Sequence, residues 1–176
     1  YIHAQRKAFL AEFIPVFKRF YQEIGQNAED VDIAYRSQLS DGAFADLLQA
    51  SAKKDALTQY TNVGIHKDDL LFSIKGHPVK KFGSQGQQKS FIIALRLSQF
   101  DWLKQHKGQK PVLLLDDIFD KLDNERVARL IALVSADYFG QVLITDTDPE
   151  RMQALFAQLP GETKLFQIKD QQALAL

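Results

Sequence analysis

Apolar residues recur at helical spacing in three stretches of the chain. The first, residues 2–24, predicts one long helix, because its apolar positions fall on a single helical face. The second, around residues 44–48, predicts a helix capped by Asp41. The third, residues 87–107, predicts a helix that Gly108 ends. The residues predicted to form the buried side of this third helix are Phe91, Ile92, Leu95, Trp102 and Leu103.

Other stretches have the patterns of strands. Residues 31–35 alternate apolar and polar positions, which predicts a short half-buried strand. Residues 70–74 and 79–82 flank the turn-forming sequence Lys-Gly-His-Pro at 75–78. They predict a hairpin whose second strand leads directly into residue 83.

Two continuous apolar runs, residues 112–115 and 142–144, predict strands covered on both faces. Asp123 lies between them and predicts the cap of an intervening helix, so the segment predicts a parallel, right-handed β-α-β unit. Asp148 followed by proline predicts another helix start. Residues 165–168 predict a last strand.

The predicted fold is therefore of the α/β class, with two parts. A change in composition near residues 108–111 separates them. Residues 1–108 carry the helices and the small hairpin, and residues 109–176 carry the parallel β-α-β segment.

Composition narrows the function classes only modestly. The 176 residues include 22 basic and 22 acidic side chains, so the chain has no overall basic field to attract nucleic acid, although a local patch would serve. The absence of cysteine excludes disulfides, thiolate chemistry and cysteine-based metal sites. No signal peptide and no membrane-length apolar run occur, which predicts a cytoplasmic protein with no membrane partner.

The sequence FGSQGQQKS, residues 82–90, differs by one position from a phosphate-binding loop, G-x-x-x-x-G-K-[ST]. Gln88 replaces the second glycine, and a side chain there would crowd a bound phosphate. Residues 77–81 are too polar to form the buried strand that must precede such a loop. The phosphate-loop interpretation therefore fails, and an ordinary helix cap by Ser84 remains one alternative.

A pair of carboxylates, Asp116 and Asp117, follows the apolar run at 112–115. The carboxyl end of a central strand is where open α/β sheets bind ligands. One aspartate could hold Mg²⁺, and its neighbour could orient or deprotonate a water. The alternative is that both simply cap a turn.

The residues that follow, FDKLD at 119–123, favour the chemical interpretation. ATP-binding cassette ATPases have a similar loop, ending in Leu-Asp, that touches the opposite subunit of a dimer. The sequence SQGQQ at 84–88 resembles their signature motif, usually written LSGGQ. A serine hydroxyl, a glycine and a helix amino terminus suit a phosphate contact.

Three segments together resemble the carboxy-terminal half of the RecF family, a recombination-mediator class of cassette ATPases related to structural-maintenance-of-chromosomes proteins. The segments are VGIHKDDLLFSIKG (63–76), FGSQGQQKSFIIALRLSQF (82–100) and KPVLLLDDIFDKLDNERVARL (110–130). The resemblance covers roughly residues 60–147. It implies that residues 1–108 form the helical second lobe with the signature motif, and 109–176 the carboxy-terminal part of the ATPase core.

The resemblance also implies a function in DNA replication, repair and recombination, including the SOS response. Members of the RecF family bind ATP and Mg²⁺, form ATP-dependent homodimers and bind double-stranded DNA. With RecO and RecR they help to load RecA at gapped DNA. The implied site residues are a signature motif acting in trans (Ser84, Gln85, Gly86, Gln87, Gln88), a Mg²⁺ carboxylate (Asp116), a catalytic carboxylate (Asp117), a cross-dimer loop (Asp120, Leu122, Asp123) and a switch region (Asp146, Thr147).

Two departures from cassette ATPases predict slow hydrolysis. Asp117 stands where most members have glutamate, and Asp is shorter by about 1.5 Å, one carbon–carbon bond. Asp146 and Thr147 occupy the region where a histidine is usual. The chain also contains no valid phosphate-loop sequence, so it is predicted to be a fragment that neither grips nor hydrolyses ATP alone.

Two other functions remain open from the sequence. One is a non-catalytic lobe that contacts DNA or a partner protein, and the other is a different P-loop enzyme. His66, within the resembling segment 63–76, is expected to be a polar anchor rather than a catalytic group.

Overall fold

The computed structural model describes residues 1–25, 29–157 and 162–175, which fold as a mixture of helices and strands. Each element that positions the candidate site lies within residues 84–156. The helices are α1 (Ile2–Gly25), α2 (Phe44–Thr58), α3 (Val79–Phe82), α4 (Gln85–Lys107), α5 (Asn124–Val134) and α6 (Pro149–Phe156). The strands are β1 (Val31–Arg36), β2 (Asp69–Ile74), β3 (His77–Pro78), β4 (Leu113–Leu115), β5 (Val142–Ile144), β6 (Phe166–Lys169) and β7 (Gln172–Ala175).

The chain divides into two compact units. The first comprises residues 1–19 and 29–83, and the second comprises residues 20–28 and 84–176. This division falls just before α4, whereas the boundary predicted from the sequence lies near residue 108 and stays a prediction.

The first unit contains an antiparallel sheet in the order β1-β2-β3. Val31 pairs with Ile74 and Arg36 with Asp69 at the two ends of the β1–β2 ladder. The predicted strand at 31–35 is confirmed, and the alternation has its expected cause, since Val31 and Ile33 are buried.

The predicted second strand of the hairpin is wrong over residues 79–82. Strand β3 has only two residues, and the chain then forms the helical turn α3. Pro78 is the residue where pairing ends, because proline has no amide hydrogen with which to extend the ladder. A turn through Lys75 and Gly76, both with positive φ, joins β2 to β3.

The predicted cap of α2 is also wrong. The residue before the helix is Ala43, which makes no side-chain cap hydrogen bond. Asp41 instead ends a short 3₁₀ turn at Gln38–Ser40. A capping side chain must precede the first helical residue directly, and Asp41 is too far from Phe44 to do so.

Helix α4 of the second unit begins and ends close to where the sequence predicts. Ser84 caps its start, and Gly108 ends it in the left-handed conformation, with φ of 65°. Its predicted buried side is largely wrong, because Ile92 is exposed and only Phe91 of the five predicted residues is buried. The residues that α4 does bury are Ser90, Phe91, Ile93, Ala94, Leu97, Ser98, Phe100 and Asp101.

The parallel β-α-β segment is confirmed. Strands β4 and β5 pair in parallel, with Leu113 opposite Val142, and α5 lies between them in the sequence. Leu113 and Leu115 are buried, but Leu114 is 67% exposed, so β4 is covered on one face rather than two.

Asp148 caps α6, with proline as the first helical residue, as predicted. The predicted last strand is confirmed as β6, but its antiparallel partner β7 was not predicted. In the part of the chain that the structure describes, no helix is both long and apolar enough to cross a membrane.

Candidate functional site

The SQGQQ segment forms the start of α4. The Ser84 hydroxyl accepts a hydrogen bond from the Gln87 amide at 3.2 Å, and the Gln87 side-chain oxygen accepts one from the Ser84 amide at 2.7 Å. This reciprocal pair is a capping box. It leaves the amides of Gln85 and Gly86 as the donors that the helix itself does not use. The Ser84 hydroxyl can still donate its own hydrogen.

Gly86 lies against a second loop of the same unit. A Cβ atom at this position would lie 3.1 Å from the carbonyl oxygen of Lys121 and 3.4 Å from a guanidinium nitrogen of Arg126. The absence of a side chain therefore serves an internal contact, in addition to any approach by a ligand. The sequence suggested only the second reason.

Lys89 does not take the position of a phosphate-loop lysine. Its ammonium group donates to the carbonyl oxygen of Asp117 at 2.8 Å. The segment before Ser84 is the helical turn α3 rather than a buried strand. Both observations support the rejection of a phosphate loop at residues 82–90.

The two aspartates after β4 form an exposed turn. Asp117 has a φ of 46°, a left-handed conformation that costs energy for a residue with a side chain. Its amide donates to the Thr145 hydroxyl at 3.2 Å, and that hydroxyl in turn donates to a carboxylate oxygen of Asp116. Thr145 therefore holds both aspartates in place.

Sequence reasoning missed Thr145. It follows β5 directly, and its amide donates to the Leu115 carbonyl at 3.0 Å, which continues the β4–β5 ladder. Its position right after β5 was the signal that could have identified it, because the carboxyl ends of neighbouring parallel strands lie at one edge of a sheet.

The loop at 119–123 lies between this turn and α5. Phe119 is 1% exposed and anchors the loop, and the Leu122 amide donates to its carbonyl at 3.3 Å. Asp120 is exposed and lies 3.7 Å from the ammonium group of Lys121. Asp123 accepts from the Arg126 amide at 2.9 Å, so the predicted helix cap is confirmed.

The predicted switch residues have different environments. The Asp146 side chain is fully buried and forms an ion pair with Arg151, whose nitrogen lies 2.7 Å from Oδ1 and 2.5 Å from Oδ2. Burial opposes ionisation of Asp146, but the Arg151 guanidinium and the Asp148 amide outweigh it and lower its pKa. Thr147 is exposed. Both carboxylate oxygens of Asp146 are therefore bound by Arg151.

The arrangement suits a magnesium ion held jointly with a ligand rather than by protein alone. Within residues 1–25, 29–157 and 162–175, no group of three or more His, Asp or Glu side chains could hold a metal ion. Mg²⁺ bound with a nucleotide needs only one or two protein carboxylates, because phosphate oxygens and waters complete its shell. The single carboxylate of Asp116 would meet that requirement.

His66 lies in the first unit, away from these residues in the sequence. Its ring nitrogen is 3.0 Å from the Thr61 carbonyl oxygen, an arrangement that fits the expected polar anchor. Nearby in the same unit, Arg6 and Tyr35 both hydrogen-bond Asp68. Together with Ser37 they lower the pKa of the Asp68 carboxyl despite its burial.

No family model matches the chain, but individual proteins are similar to it in sequence. The chain is 50% identical over 167 residues to the DNA replication and repair protein RecF of Flavobacterium johnsoniae. That match includes 95% of this chain and 46% of the relative. The chain spans about half the length of the curated relatives it matches.

Solved structures give the same result. A structure of the recombination mediator protein RecF-ATP in the RecFOR pathway matches 99% of this chain and 47% of its own length, with a TM-score of 0.73 and 26% identity. A structure from work on ATP-driven dimerisation and DNA-stimulated activation of SMC ATPases matches 97% of this chain, with a TM-score of 0.52 and 13% identity. The second likeness concerns the fold alone.

The predicted α/β cassette-ATPase fold and the predicted resemblance to the carboxy-terminal half of RecF proteins are therefore both confirmed.

Proposed function

We propose that the chain is the carboxy-terminal part of a RecF-type DNA repair and recombination ATPase, which dimerises with ATP and binds DNA in that state. One observation carries the proposal. The first turns of α4, which begin with SQGQQ, contact both the Asp116–Asp117 turn and the 119–123 loop, through Lys89 on Asp117 and through Gly86 on Lys121.

The SQGQQ segment would contact the nucleotide held by the partner subunit. The Ser84 hydroxyl and the amides of Gln85 and Gly86 are hydrogen-bond donors at a helix amino terminus, where negative charge is favoured. Gln87 fixes the Ser84 backbone through the capping box, and Gln88 follows in the same turn. This set supports a γ-phosphate contact made across the dimer.

The aspartate turn would serve the nucleotide of its own subunit. Asp116, oriented by Thr145, would hold Mg²⁺, which neutralises phosphate charge when bound. Asp117 would orient the attacking water and accept its proton. Because the aspartate side chain is short, its reach toward that water is limited, and slow turnover of the kind that serves a switch is expected.

The remaining predicted residues would link the two subunits. Asp120, Leu122 and Asp123 would contact the partner through the exposed side of the 119–123 loop. Asp146 and Thr147 would form the switch region, with Asp146 acting through its ion pair with Arg151 rather than directly on a nucleotide.

The biological setting follows from the same proposal. The full-length protein would act in the cytoplasm on double-stranded DNA and gap junctions, with RecO and RecR as partners. The 176-residue chain by itself would lack ATPase activity, since it has no G-x-x-x-x-G-K-[ST] sequence to grip the phosphates.

The test uses the full-length protein that contains this chain. We expect sedimentation to show a monomer without nucleotide and a dimer with ATP and Mg²⁺, and duplex DNA binding to appear only with the dimer. ADP in place of ATP is the matched control and should give neither the dimer nor the DNA binding. A protein that binds DNA equally well with no nucleotide would instead support the non-catalytic binding lobe.

A further inference from the structure

Arg126, on the first turn of α5, connects two of the predicted nucleotide segments within one subunit. Its NH1 nitrogen donates to the Ser90 hydroxyl at 3.2 Å. Its Nε nitrogen lies 3.2 Å from a carboxylate oxygen of Asp123. Ser90 belongs to α4, two residues after the SQGQQ segment, and Asp123 ends the 119–123 loop. One guanidinium group therefore spans both.

The surroundings of Arg126 favour a fixed connection over a loose surface pair. Its side chain is only 15% exposed, and Ser90 is completely buried. The same guanidinium group would lie 3.4 Å from a Cβ atom at residue 86, so it packs directly against the glycine of the motif. Hydrogen bonds to charged groups in such partly buried places are stronger than exposed ones.

The planar guanidinium is well suited to this position. Its nitrogens point in fixed directions, so one side chain can serve Ser90 and Asp123 at the same time. A lysine has a single nitrogen and could not reproduce both contacts with the same geometry. Lys89 makes a parallel connection, from the same part of α4 to the Asp117 carbonyl.

We propose that Arg126 is a positioning residue that fixes the SQGQQ segment on the 119–123 loop, so that both segments meet the partner subunit as one body. The effect of this coupling on ATP hydrolysis rests on the proposed function. The coupling itself is a property of the nucleotide-free subunit and can be measured there.

The experiment compares Arg126→Gln with Arg129→Gln in the full-length protein. Arg129 lies on the same helix and pairs with Glu125 four residues earlier, so its replacement removes an equal charge and an ion pair outside the connection. Without nucleotide, Arg126→Gln should speed amide hydrogen exchange in residues 84–90 and 119–123 about tenfold, as expected for a lost charged hydrogen bond. Arg129→Gln should not change exchange in these segments.

ATP gives a second readout that a merely structural role would not produce. Arg126→Gln should keep the monomer's ATP dissociation constant while lowering kcat about tenfold. Arg126→Lys should recover part of kcat. Ser90→Ala removes one of the two contacts without touching a charge, and should speed exchange in the same two segments if Arg126→Gln fails to fold.

Unchanged exchange in both segments for Arg126→Gln and Ser90→Ala would overturn the positioning role. If exchange rises as expected but the wild-type protein forms no dimer with ATP, the connection stands and the proposed function fails.

Discussion

Replacing Ser84 with arginine is expected to abolish ATP-dependent dimerisation of the full-length protein while each monomer still binds ATP. Ser84 lies at the amino terminus of α4, beside the two amides that the capping box leaves unused. An arginine side chain would fill the space proposed for the partner's γ-phosphate. DNA binding that depends on ATP should be lost together with the dimer.

Nucleotide titration and sedimentation, with and without ATP, measure the two effects separately. Ser84→Gly is the matched control for capping, since glycine at a cap costs only a few tenths of a kcal/mol. Loss of ATP binding by the Ser84→Arg monomer, in a protein that is folded by circular dichroism, would indicate that the segment contacts nucleotide in its own subunit.

Replacing Asp117 with asparagine is expected to lower the hydrolysis rate about a hundredfold or more, the usual contribution of a positioned general base. Asparagine has nearly the same shape, so the left-handed turn and the Thr145 contact to the backbone amide should persist. The ATP-bound dimer should therefore form normally and last longer, because ATP hydrolysis, which is expected to cause its dissociation, is slowed.

Asp116→Asn is the comparison that separates the two carboxylates. It should weaken Mg²⁺-dependent nucleotide binding instead, because one oxygen ligand loses its charge. Single-turnover hydrolysis and dimer lifetime, measured for both variants, distinguish the roles. Equal hydrolysis rates for wild type and Asp117→Asn would remove Asp117 from the catalytic role.

Elements with local signals were predictable from the sequence. The start of α5 follows from Asp123, the end of α4 from Gly108, and the pairing of β4 with β5 from two apolar runs flanking a helix. In each case the residue that sets the boundary acts on its immediate neighbours. The hairpin prediction failed at 79–82 because one proline ended the ladder earlier than the apolar pattern suggested.

The buried face of α4 shows why apolar spacing alone was insufficient. Ser98 is buried because its hydroxyl donates to the Ala94 carbonyl within the same helix. Asp101 is buried with hydrogen bonds from Gln105 and Tyr138. Polar residues whose hydrogen bonds are satisfied can occupy core positions. A prediction of the buried face of α4 that uses only apolar residues therefore leaves such positions out.

The sequence allowed candidate site residues to be named, but it did not allow the contacts between them to be predicted. Ser84, Asp116 and Asp117 could be named from short motifs with known chemistry. Lys89 and Asp117 are 28 residues apart, Thr145 and Asp116 are 29, and Arg126 and Ser90 are 36. Contacts at these separations depend on how α4 packs beside β4 and α5, which no local pattern specifies.

The most direct test of the central claim, that Ser84 and Asp117 of one chain serve different nucleotides, is a mixing experiment. Full-length Ser84→Gly, which keeps the cap but lacks the hydroxyl proposed to contact the γ-phosphate, is expected to dimerise and to be deficient in hydrolysis, as Asp117→Asn is. The two proteins are combined as monomers before ATP is added. A mixed dimer would contain one site with both residues intact. The mixture should recover up to about a quarter of the wild-type rate, since random pairing makes about half of the dimers mixed and each has one intact site. A rate no higher than the average of the two separate variants would contradict the claim.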